Sequence, residues 1–110
     1  MPMTHAMPES DRFASLGEVA ALLRAACPAG YERAWIEATV GDDWDEQTIC
    51  CERRGERLQP DTGVAACFRI GRILREVRKS MHDDGNPRWS RCTFTIFPDG
   101  RHTLEMIGDE

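Results

Sequence analysis

Five carboxylates crowd one short stretch of the chain: Glu37, Asp42, Asp43, Asp45 and Glu46, with no basic residue between positions 37 and 46. Trp35 and Trp44 stand beside them. Two chemistries fit. One is a solvated hairpin tip whose aspartates simply favour turns. The other is a protein-binding surface, because tryptophan is enriched at interface hot spots and clustered carboxylates steer a basic partner. Asp42-Asp43-Trp44-Asp45 lacks the regular ligand spacing and the glycine of a calcium loop, so no metal is assigned. The candidate contact residues are Trp35, Asp42, Asp43, Trp44, Asp45 and Glu46.

A catalytic set is harder to assemble. The serines are Ser10, Ser15, Ser80 and Ser90. Ser15 reads as a helix cap and the others fall in loops or at element ends, so no nucleophile–base–orienter series emerges. Five cysteines, Cys27, Cys50, Cys51, Cys67 and Cys92, include no C-x-x-C pair. Adjacent Cys50 and Cys51 on a strand point to opposite faces and cannot share one ion. Buried cysteines acting as small apolar residues in a reducing compartment are the plainer reading. His102 is the one histidine inside an expected strand, and a structural role there is the plainer reading too. The glycines are isolated in caps and turns and form no phosphate cradle. No cofactor and no catalytic residue are therefore expected.

Basic residues number 13 Arg and 1 Lys, and Arg69, Arg72, Arg75, Arg78 and Lys79 fall within one helical stretch. Arginines three apart fan around a helix rather than converge. Pairing with the acidic loop, or solvation, is the expectation for them, and nucleic acid is not an expected partner. The charge balance of −5 agrees with that, since phosphate attraction needs positive charge.

These residues need a scaffold. Ser15-Leu16-Gly17-Glu18 has capping-box spacing. Leu16, Val19, Ala20, Leu23, Ala26 and Cys27 then form one apolar stripe, and Pro28-Ala29-Gly30 stops the helix. From Tyr31 to Val40 the period changes to two, with Ala34, Ile36, Ala38 and Val40 on one face. A second strand is expected over Glu46–Arg53, broken by Arg54-Gly55-Glu56. Asp61 or Thr62 caps a second helix with a stripe of Cys67, Ile70, Leu74, Val77 and Met81, ending near His82. Cys92, Phe94 and Ile96 alternate into a Pro98-Asp99-Gly100 turn and a final strand with Leu104 and Met106.

The order α-β-β-α-β-β implies an α+β fold: a four-stranded antiparallel sheet with two helices on one face. With 110 residues the chain has room for one core, expected over 13–110 after a flexible lead-in at 1–12. The first residues show neither a basic start nor an apolar run, and no stretch approaches the roughly 20 apolar residues of a membrane span. A cytoplasmic protein is expected, without membrane association.

Two segments carry a resemblance. Cys27-Pro28-Ala29-Gly30-Tyr31-Glu32-Arg33-Ala34-Trp35-Ile36-Glu37-Ala38-Thr39-Val40 has a helix end at proline, an aromatic residue and an x-A-x-V first strand. Asn86-Pro87-Arg88-Trp89 is followed by Cys92-Thr93-Phe94-Thr95-Ile96-Phe97-Pro98-Asp99-Gly100-Arg101, an alternating strand and a D-G-R turn. Together they resemble the YezG-like family of bacterial immunity proteins, antitoxin partners of polymorphic toxins, over roughly residues 15 to 107. The resemblance implies stoichiometric binding of a cognate toxin, often a nuclease, without catalysis. The alternatives are a small structural or regulatory module that homodimerises through a sheet edge, and a Cys- or His-dependent enzyme.

Overall fold

The computed structural model describes residues 9–108. Helix α1 spans Glu9–Ala26, strands β1 and β2 span Arg33–Val40 and Asp45–Arg53, and a short β3 spans Glu56–Leu58. Helix α2 covers Val64–Asp83, and β4 (Trp89–Ile96) and β5 (His102–Gly108) complete the chain. The fold is α+β, with the expected succession of elements and one more strand than expected. The antiparallel sheet has five strands in the order β3-β2-β1-β4-β5.

The extra strand comes from Arg54-Gly55. Both residues have positive φ, 55° and 75°. Two successive left-handed residues turn a chain back on itself with the twist a hairpin needs. The segment read as a strand breaker is therefore a hairpin turn, and Leu58 pairs with Cys51.

Alternation sorts the sheet into two faces. Ala34, Ile36, Ala38 and Val40 of β1, Cys51 of β2, and Phe94 and Ile96 of β4 are buried. They share one core with Val19, Ala20 and Leu23 of α1 and Ile70, Ile73, Leu74 and Val77 of α2. Both helices thus cover the same face. A register shift between Trp89 and Arg91 puts Trp89 into this core as well as Cys92, although their spacing is odd. No helix among the described residues is long and apolar enough to cross a membrane.

Two helix starts differ from expectation. Helix α1 already runs through Glu9–Ala26, so Ser15 lies inside it rather than capping it. Its first turns are held from α2: Arg12 Nη1 donates to Ser80 Oγ at 2.9 Å and to Asp84 Oδ2 at 2.5 Å. Contacts far apart in sequence override a local cap signal. Residues 9–12 of the expected lead-in are therefore helical, and 1–8 lie outside the described residues. At α2 the N-cap is Gly63, with φ 87° and no side-chain cap. Asp61 Oδ1 instead accepts from Gly63 N at 2.8 Å, spending the aspartate on the preceding turn.

Candidate functional site

The acidic residues sit where β1 turns into β2. Gly41 N donates to Trp44 O at 2.8 Å and closes the turn. The Trp44 indole lies against Gly41 so closely that a Cβ there would come within 2.7 Å of three ring atoms. Glycine is what allows the ring to fold down. Trp44 is nevertheless 49% exposed, with exposed Asp43 and Glu46 beside it.

Helix α2 holds the base of the turn. Arg78 is buried, and its Nε donates to the Trp89 carbonyl at 2.5 Å. Its Nη1 donates to Asp42 Oδ1 at 2.8 Å, although the Asp42 side chain is 82% exposed. Asp42 thus keeps its second oxygen for solvent. The hydrogen bond from Arg78, then that residue's charge, then the charge of Arg88, hold its carboxyl below the usual range.

Asp45 behaves differently. It turns inward, accepting from Arg75 Nη1 at 2.5 Å and from Gln47 Nε2 at 2.8 Å. Gln47 Nε2 also reaches the Cys67 carbonyl at 2.9 Å, tying β2 to α2. The Asp45 carboxylate rests over Gly71, at a place in α2 that a Cβ would fill. Asp45 is a strut of the turn rather than part of its exposed surface.

Trp35 does not belong to the cluster either. It lies near the opposite end of β1 on the face the helices leave open, and it is only 8% exposed. Arg33 and Arg57 cover its ring with their guanidinium carbons 4.8 Å and 5.1 Å from the centroid. Its Nε1 donates to Glu37 Oε2 at 2.9 Å. The flanking arginine Arg57 comes from β3, the strand that sequence patterning missed. Of the six residues, the structure therefore gathers Asp42, Asp43, Trp44 and Glu46 at one exposed tip, with Asp45 beneath them and Trp35 elsewhere.

The pairing expected between the arginine face and the acidic loop is present, through Asp42–Arg78 and Asp45–Arg75. Gly71, Arg75 and Arg78 fall at spacings of four and three, one stripe of a helix. That stripe was the available signal for the docked turn. Reading it as such needed the knowledge that α2 lies under the β1–β2 connection.

Cys92, Cys27 and His102 lie in apolar surroundings. Burial pushes the Cys92 thiol up to about 12 and, with the nearby Cys51, the Cys27 thiol up to about 11. Both stay protonated at neutral pH, which is the weak form of the nucleophile. His102 packs between Phe94 and Phe13, with ring centroids 5.4 Å and 5.6 Å away. Among the described residues no three of His, Cys, Asp and Glu stand together as a metal site. No family model matches the chain, and none of the curated proteins matches it.

Proposed function

We propose that this protein is an immunity protein, or antitoxin, that neutralises a cognate bacterial toxin in the cytoplasm by stoichiometric binding and performs no reaction. The likeness of residues 27–40 and 86–101 to YezG-like immunity proteins supports the class. One structural observation carries the binding surface: the β1–β2 tip presents Trp44 half-exposed beside Asp42, Asp43 and Glu46, while Arg75 and Arg78 hold its base. An anchored tip loses little conformational freedom on binding, and an exposed indole supplies hot-spot area. The carboxylates select a partner with a basic groove, as a nuclease domain has.

The test is co-expression with a candidate toxin domain, to be sought as a variable basic domain in the neighbouring reading frame. The domain alone should arrest growth; together with this protein it should be harmless and purify as an equimolar complex. Growth arrest that persists despite full expression of both chains would refute the reading.

A second reading rests on β5, an edge strand with Met106 41% and Ile107 47% exposed. Such an edge can pair with a second copy. A molecular mass in solution that doubles with concentration would favour this regulatory dimer.

A further inference from the structure

Behind the acidic tip the surface changes sign. A groove of about 500 Å³ runs along α2 toward the α2–β4 connection, and its cations are Arg72, Arg75, Arg78, Lys79 and Arg88. Three carboxylates, Asp42, Glu76 and Asp83, also line it. With Asp45, which pairs with Arg75, counted among the carboxylates, the groove keeps an excess of one positive charge in a chain whose total is −5. Sign reversal confined to a concave surface focuses potential on whatever enters it.

The cations are held but not saturated. Arg78 is fixed by the Trp89 carbonyl and gives Nη1 to Asp42; Arg75 gives Nη1 to Asp45. Arg72 meets Glu76 at 3.5 Å and Lys79 meets Asp83 at 3.1 Å, both in exposed pairs. Exposed pairs of this kind are worth little and exchange readily for a stronger anion. A guanidinium has five N–H donors, so each arginine keeps donors to spare. Arg88 is exposed and takes part in none of the salt bridges among the described residues.

We propose that this groove binds a small oligophosphate anion. Guanidinium forks match phosphate oxygens in pairs, and several of them around one groove suit linked phosphoryl groups better than a single carboxylate. A nucleic-acid backbone presents the same chemistry but fits less well. It would have to run past Asp42, Glu76 and Asp83 over a chain of net negative charge. Asp42 competes with the ligand for Arg78, so the groove and the tip are coupled through one guanidinium.

Calorimetric titration with sodium tripolyphosphate, in phosphate-free buffer at fixed ionic strength, tests this. Saturable one-site binding is expected. Arg88→Ala and Arg72→Ala should each weaken it about tenfold, the loss of a charge-assisted contact. Arg101→Ala, the same charge change at the exposed β4–β5 turn, should alter it less than twofold, and Asp42→Asn should tighten it. Circular dichroism melts would confirm that each variant folds. Absence of saturable binding, an Arg101→Ala effect equal to that of Arg88→Ala, or no tightening by Asp42→Asn would overturn the proposal. Tighter binding of a short single-stranded oligonucleotide, with the same dependence on Arg88, would also overturn it by giving the groove to a nucleic-acid backbone.

Discussion

Glycine inside a helix is costly, so Gly71 in the buried middle of α2 needs a reason. The structure supplies one: a Cβ at this position would lie within 2.6 Å of the Asp45 carboxylate carbon and closer still to both of its oxygens. Gly71→Ala forces that carboxylate outward and breaks its hydrogen bonds from Arg75 and Gln47. Hydrogen bonds to a charged group contribute about 1.5–3 kcal/mol. The Arg75 and Asp45 side chains are 23% and 16% exposed, so solvent screening brings the expected loss to about 2 kcal/mol. Alanine returns about 1 kcal/mol through helix propensity. The net effect should be a destabilisation of about 1 kcal/mol by urea unfolding. In an Asp45→Ala background nothing obstructs the new methyl group. The same Gly71→Ala change should then stabilise by about 1 kcal/mol, a reversal of sign between the two backgrounds. Equal effects in both would show that the glycine is unrelated to Asp45, and that the turn is not docked on α2 as described.

Other expectations address separate links. Gly55→Ala should destabilise by about 1 kcal/mol because its φ of 75° disfavours a side chain; unchanged urea midpoints would argue against the hairpin turn that creates β3. The native state keeps the Cys92 proton up to about pH 12, whereas an unfolded thiol releases it near pH 9. The unfolded state therefore binds fewer protons above pH 9, and stability should fall as pH rises through that window. Cys92→Val should flatten the fall by up to about 1.4 kcal/mol per pH unit; identical slopes would contradict the burial of this thiol. Asp43→Asn touches an exposed group and should shift stability by no more than about 0.5 kcal/mol in urea unfolding. With the proposed toxin partner, Trp44→Ala should weaken affinity about thirtyfold and Asp43→Asn should flatten the salt dependence of association. Surface plasmon resonance at several ionic strengths reads both, and unchanged rates would remove the tip from the contact.

The residues differ in how much of this they disclosed. Ala34, Ile36, Ala38 and Val40 alternate cleanly because one face of β1 is wholly buried, and period two survives wherever burial is one-sided. The α2 stripe is legible for the same reason. Arg54 carried no such signal, since a non-glycine residue with positive φ is invisible in composition, and β3 was lost with it. Ser15 misled because its cap signal is local, whereas the helical turn before it is tied down by Arg12 reaching residues about seventy positions away. The acidic character of the tip was readable directly. The inward turn of Asp45 was not, because it depends on Gly71 lying beneath it. Trp35 was misplaced for a related reason: Arg57, which helps to cover it, arrives on the unrecognised strand.

The central claim is that the β1–β2 tip is the surface this protein offers to a toxin. A photo-reactive amino acid at position 44, expressed in the native host and irradiated in living cells, tests it most directly. The account expects one dominant adduct, formed with a protein that arrests growth when produced without this chain, and little of it when the same group is placed at exposed position 101 on the β4–β5 turn. Equal labelling from both positions, or an adduct at position 44 only with a second copy of this chain, would contradict it.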